Sequence, residues 1–129
     1  MIVLDASAAV ELLGRSAAGL ILARRIATEQ TLHAPYLLDI EVTNALRRHC
    51  AQGLIAADRA KLALLDFQRL RVLRHRHKPY LDRIWQFREN FTAYDACYLA
   101  LTEALDATLL TRDSTLASAR LRRGNVEVV

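Results

Sequence analysis

MIVLDASAAVELL, residues 1–13, sets a short apolar run before Asp5 and follows it with a segment of helical composition. The pattern reads as a strand, Asp5 as helix N-cap, then a helix. Similar units follow. AAGLILARRIATEQ (17–30) continues as a second helix, and TLHAP (31–35) reads as a brief buried strand stopped by Pro35. YLLDIEVTNALRRHCAQG (36–53) has apolar residues at helical spacing and stops at Gly53, and AADRAKLALLDFQRL (56–70) is another helix. RVLRH (71–75) reads as a strand, YLDRIWQFREN (80–90) as a helix, and NFTAYDACYLAL (90–101) as a helix with an apolar buried face. ATLLT (107–111) is a strand, RDSTLASARL (112–121) a short helix, and VEVV (126–129) a last strand. Short apolar strands alternating with amphipathic helices predict an α/β sandwich around a mainly parallel sheet. The 129 residues are the size of one domain, 1–129, with a real core and no linker.

Hydrophobic residues make up 53% of the chain, yet charges break every apolar run well short of the roughly 18 to 20 residues of a membrane span. Asp5 and Glu11 inside the first apolar stretch argue against a secretory signal, so the expected setting is the cytoplasm, with no membrane partner. Cys50 and Cys97 stand far apart, which supports neither a disulfide scaffold nor a zinc ribbon; both are expected in the core. The net charge is +4, and residues 69–89 hold seven basic residues against two acids, +5, leaving −1 for the rest. Such a segment has the electrostatic footprint of a polyanion binder. Within it His75 and His77 form a lone H-x-H, weak as a metal motif and read as an exposed strand end or loop.

Thr92 and Asp95 have capping-box spacing, which alone explains an acid at the start of that helix. Asp5 and Asp113 also suit helix N-caps. Glu41 has no such explanation: its i+3 and i+4 partners are Asn44 and Ala45, and Asp39 is the more natural cap. In a parallel sheet the ligand crevice lies off the carboxyl ends of the strands, where Asp5 and Asp113 fall directly after theirs. Brought to one edge, each pair of acids about 4 Å apart would repel by about 4 kcal/mol at a surface-like dielectric. A hard cation such as Mg²⁺ or Mn²⁺ relieves that repulsion and serves phosphoryl chemistry. The chain lacks a phosphate-cradling G-x-x-x-x-G-K-[ST], a dinucleotide-binding G-x-G-x-x-G and a nucleophilic G-x-S-x-G. A receiver-like signalling module would want a lysine where TLLTRD has Arg112.

MIVLDASAAVELL, APYLLDIEVTNALRR, NFTAYDACYLALTEAL and TLLTRDSTLA, in this order and spacing, resemble the PIN-domain ribonucleases, and in particular the VapC toxins of bacterial toxin-antitoxin pairs. The resemblance spans nearly the whole chain. It implies a PIN-like three-layer α/β/α sandwich and a divalent-metal-dependent endoribonuclease that cleaves RNA phosphodiesters with a metal-activated water. Asp5, Glu41, Asp95 and Asp113 match the family's acidic quartet, as metal ligands and catalytic residues. Asp5 and Asp95 would be the principal ligands for Mg²⁺ or Mn²⁺, Asp113 would complete the site, and Glu41 would bind a second ion or help deprotonate the attacking water. Ser7 and Thr111 are expected to hydrogen-bond the carboxylates. The resemblance further implies a homodimer and a cognate VapB-type antitoxin. The alternatives are a PIN-fold RNA-processing nuclease, or a non-catalytic RNA-binding adaptor, outside a toxin-antitoxin pair.

Overall fold

The computed structural model describes residues 1–28 and 31–129. Its centre is strand β1 (Ile2–Leu4), whose three residues are fully buried. A strand buried on both faces has to be apolar throughout and covered from two sides. Around it lie β2 (Leu32–Pro35), β3 (Val72–His75), β4 (Thr108–Thr111) and β5 (Asn125–Val128), in the order β3-β2-β1-β4-β5. Every pairing is parallel, with Leu4 opposite Leu110 and Ile2 opposite Leu32. The predicted sheet, called mainly parallel, is parallel at every pairing.

The chain builds outward from β1 through β2 to β3, then crosses to the other side of β1 for β4 and β5. Crossovers of one hand that run in opposite directions place their helices on opposite faces. One helical group is α1 (Ala6–Leu13), α2 (Ala17–Ala27), α3 (Leu37–Ala51) and α4 (Ala57–Arg69), in which α1 packs on the other three. The other is α5 (Leu81–Gln86) with α6 (Ala93–Leu105), and α6 lies along β1, β2 and β4. The α/β/α sandwich expected from the sequence is therefore the observed architecture. Among the described residues no single helix is long and apolar enough to cross a membrane.

Several local expectations change. The helix foreseen over 80–90 is only Leu81–Gln86, because tight i to i−3 hydrogen bonds from Phe87, Arg88 and Asn90 end it and turn Phe87 into the core. The helix foreseen over 112–121 is a 3₁₀ turn, Ser114–Ser118, begun by the Asp113 carboxylate and followed by extended Ala119. Asp39 does not cap α3: Arg74 on β3 binds it at 2.9 Å. Glu29 and Gln30, foreseen at the end of the second helix, lie outside the described residues. Cys97 is buried as expected, but Cys50 is only partly covered. Gly53 follows α3 at φ +71, the left-handed position expected of a glycine stop.

The histidines also depart from an exposed H-x-H. His75 Nε2 sits 2.9 Å from Nδ1 of buried His33, and His77 Nε2 accepts the Leu37 amide at 3.2 Å. Burial pushes both His33 and His75 down, and His75 further disfavours charge on His33, which suits a structural pair.

At the far end of α6, Glu103 is 9% exposed and binds Arg83 of α5 through two hydrogen bonds of 2.9 and 3.0 Å, and the Arg122 amide at 2.8 Å. Burial alone would raise its carboxyl, but these donors outweigh burial and hold it below the ordinary glutamate range. A carboxyl depressed on folding stabilises the protein above its unfolded pKa and loses that contribution as pH falls through the folded value. Replacing Glu103 with Gln is expected to cost about 2 kcal/mol at pH 7 in urea unfolding, by leaving Arg83 half-buried without its charge partner. The cost should shrink in acid; an equal loss at neutral and acidic pH would contradict the charge argument.

Candidate active site

Because β1 and β4 are neighbours and Leu4 pairs with Leu110, the chain leaves both strands at the same edge. Asp5 lies directly after β1, its amide donating to the Leu110 carbonyl at 3.0 Å, and Asp113 lies two residues beyond β4. The direction of strand addition reverses between β1 and β4, and a crevice opens at such a switch point. Helix α3 brings Glu41 there and the first turn of α6 brings Asp95. All four acids line one groove of about 640 Å³, together with Ser7, Glu11, Asn44, Arg48, His49 and Arg112.

The carboxylates of Asp5, Asp113 and Glu41 are each held by a hydroxyl, a backbone amide, or both. Asp5, 8% exposed, accepts from the Ala6 amide on Oδ1 at 2.8 Å, and from Ser7 Oγ at 2.5 Å and Thr111 Oγ1 at 2.7 Å on Oδ2. The two hydroxyls in turn accept from the Arg112 and Asp113 amides, at 2.9 and 3.0 Å, which ties the β4 exit to the α1 start. Asp113 Oδ1 accepts from the Thr115 amide at 2.9 Å and its hydroxyl at 2.7 Å. Glu41 Oε2 accepts from Tyr98 Oη at 2.6 Å. Thr92 caps α6 by accepting the Asp95 amide at 3.2 Å, the first half of the capping box read from the sequence. Ser7 and Thr111 were legible as carboxylate partners. Tyr98 was not, because an aromatic three residues after Asp95 on an apolar helix reads as core, which its ring also is.

The charges set this groove apart. Glu11, Asp39, Asp66, Glu103 and Glu127 each pair with an arginine at 2.9 to 3.5 Å. Among the described residues, Asp5, Glu41, Asp95 and Asp113 pair with none. Burial raises the Glu41 carboxyl, the Tyr98 hydroxyl partly offsets this, and Asp5 and Asp95 raise it further. Burial likewise raises Asp95, aided by Asp113 and Asp5 and opposed by Thr92. Cys97 beneath them is pushed up to about 12 by burial and then by Glu41, Asp95 and Asp5, so it is no thiolate nucleophile at neutral pH. An all-oxygen set of carboxylates without a countercharge fits a hard divalent ion. Among the described residues, no three His, Cys, Asp or Glu side chains converge to ligand distance.

None of the residues that line the groove comes from the basic segment 69–89. Arg74 and Arg83 of that segment are committed to Asp39 and Glu103, and Arg88 stacks 4.8 Å over Trp85. Arg48 of α3 and Arg112 after β4 line the groove instead. Arg48 lies two turns along α3 from Glu41, at i+7 on the same helix face.

A carboxyl raised on folding contributes stability that is fully present below its unfolded pKa and is lost as pH rises through its folded value. At neutral pH the metal-free protein therefore carries Asp95 at a cost. Asp95→Asn loses about 0.5 kcal/mol of favourable helix-dipole interaction and relieves a larger repulsion. Its melting temperature in EDTA should rise by roughly 3 °C at pH 7, the equivalent of about 1 kcal/mol, and match the native value near pH ~3.5. A fall at pH 7 would refute the electrostatic reading.

A family model for the PIN domain matches residues 2–121. Ribonuclease VapC12 of Mycobacterium tuberculosis is 40% identical over 129 residues, covering 100% of this chain and 99% of that protein. Ribonuclease VapC1 of the same species is 44% identical over 118 residues, covering 91% and 89%. The crystal structure of M. tuberculosis VapC20, titled a sarcin-ricin loop cleaving toxin, superposes with a TM-score of 0.72 at 15% identity over 94% of this chain and 96% of that one, a likeness of fold. With four acids off the carboxyl ends of a parallel sheet and close relatives along its full length, this chain belongs to the PIN-domain family and, within it, to the VapC ribonucleases.

Proposed function

We propose that this protein is a divalent-metal-dependent endoribonuclease, the toxin of a VapBC-type toxin-antitoxin pair acting in the cytoplasm. One observation carries the reading. Four acids meet at one groove and, among the described residues, none of them takes an arginine or lysine partner, whereas the other buried or half-buried acids each pair with an arginine.

Asp5, Asp95 and Asp113 would hold the ion, with Glu41 beside them. A bound Mg²⁺ or Mn²⁺ ion supplies Lewis acidity, making water more acidic and steadying negative charge on the phosphate. The chain's own residues do the rest. Ser7, Thr111 and the Ala6 amide fix the Asp5 carboxylate, so it needs little reorganisation when a ligand arrives. Glu41, more basic than an ordinary glutamate, takes a proton from the attacking water. Arg48 and Arg112 meet the phosphodiester backbone along the groove, a contact that positions RNA without reading its bases.

Exposed large apolar residues, including Leu20 and Ile21 on α2, Ile40 on α3, Trp85 on α5 and Tyr94 on α6, support surfaces covered by a second copy and by a VapB-type antitoxin.

Purified protein given RNA and Mg²⁺ is expected to cleave it, to stop on addition of EDTA, and to lose at least about 10²-fold in rate as Asp95→Asn. Cleavage that survives both EDTA and the substitution would sink the assignment. Separately, millimolar Mg²⁺ should raise the native melting temperature, since a ligand bound only by the folded state stabilises it. That gain should largely vanish in Asp95→Asn; an equal gain in both proteins would place the ion elsewhere.

A further inference from the structure

We propose that Tyr98 is a positioning residue of the nuclease site: its buried hydroxyl holds Oε2 of Glu41 and so presents Oε1 to the groove. The inference rests on the nuclease reading above and adds to it a residue outside the acidic set.

The four acids are not anchored alike. Asp5 and Asp113 each accept a backbone amide, from Ala6 and Thr115, and Asp95 stands in a helix turn whose amide Thr92 caps. Among the described residues Glu41 has no backbone donor. It also has the longest side chain of the four, with one more rotatable bond than an aspartate, so it is the acid most in need of an external hold. Among the described residues the Tyr98 hydroxyl is its one hydrogen-bond partner, at 2.6 Å.

Tyr98 suits that task. It is 1% exposed, its ring is fixed in the core, and an aromatic side chain packed this way has little freedom to lose. A phenol hydroxyl buried so deeply needs an acceptor, and the acceptor present is Glu41. The bond reaches from α6 to α3 across 57 residues of sequence. Helix α6 thus carries one acid of the site, Asp95, and one turn later the group that aims another. Because the hydroxyl approaches from the core, it occupies one carboxylate oxygen and leaves the other free.

The test uses Tyr98→Phe, which removes the hydroxyl and keeps the ring. Mn²⁺ affinity of the purified chain without RNA, followed by electron paramagnetic resonance, is expected to fall roughly 10- to 100-fold, the usual effect of removing a group that orients a ligand. With RNA, kcat should fall while KM stays within about two-fold, separating a positioning loss from a binding loss. In a Glu41→Gln background the same substitution should add nothing to the loss of Mn²⁺ affinity, because Tyr98 acts through that carboxylate. As a second variant, Glu41→Asp withdraws the carboxylate from the hydroxyl by one methylene and should reproduce the affinity loss with the core intact. Native affinity and kcat in Tyr98→Phe, native affinity in Glu41→Asp, or an equal loss in both backgrounds would each overturn the role of Tyr98 while leaving the nuclease reading standing. A native chain that neither binds Mn²⁺ nor cuts RNA would overturn that reading and this inference with it.

Discussion

Repulsion among four carboxylates is the constraint around which this structure is arranged. Any two of them about 4 Å apart would cost about 4 kcal/mol at the dielectric of a protein surface, a large fraction of the 5–15 kcal/mol that holds a domain together. The inexpensive remedy is an arginine, and the chain uses it for Glu11, Asp39, Asp66, Glu103 and Glu127. At the groove it uses neutral donors: the hydroxyls of Ser7, Thr111, Thr115 and Tyr98 and the amides of Ala6 and Thr115. Neutral donors fix the direction of a carboxylate without cancelling its charge. The negative potential is therefore left uncancelled, as the proposed cation site requires, and the rest of the fold supplies the stability that the groove withholds.

That supply comes from the same elements that carry the acids. Ile2, Val3 and Leu4 before Asp5, and Leu109 and Leu110 before Asp113, are fully buried. Helix α6 is buried continuously from Ala96 to Glu103, just after Asp95. Asp5, Asp95 and Asp113 each stand at the end of a rigid apolar segment, so their backbones cannot retreat from their neighbours. Tyr98 extends the principle to Glu41, the one acid on a helix partly open to solvent.

The arginines are divided between two tasks. Arg74 and Arg83 lock β3 to α3 and α5 to α6 through carboxylates, and Arg88 lies on Trp85. Composition counted all of them as available positive charge, because net charge cannot distinguish a paired guanidinium from an open one. The arginines that line the groove, Arg48 and Arg112, come from stretches of unremarkable charge, and Arg112 is itself paired with Glu11. The two helices read too long, over 80–90 and 112–121, failed for a related reason: local side-chain and turn hydrogen bonds, and the need to bury Phe87 and Leu116, outweigh helical propensity over a few residues.

What the sequence determined by itself is considerable. The strand and acid of MIVLD, the strand and later acid of TLLTRD, and the capped helix of NFTAYDACYLAL are local patterns, governed by periodicity and capping that act within a turn or two. With their order they specify a parallel α/β sheet and put Asp5 and Asp113 beyond the ends of its strands. The tertiary structure alone decided that β1 and β4 are neighbours, that Glu41 faces Asp95 across the groove, and that Tyr98 reaches it. It also decided which acids receive an arginine and which do not. These outcomes depend on contacts between residues 20 to 106 positions apart, and no local spacing encodes them; they follow from burying the faces of one sheet between two layers of helices.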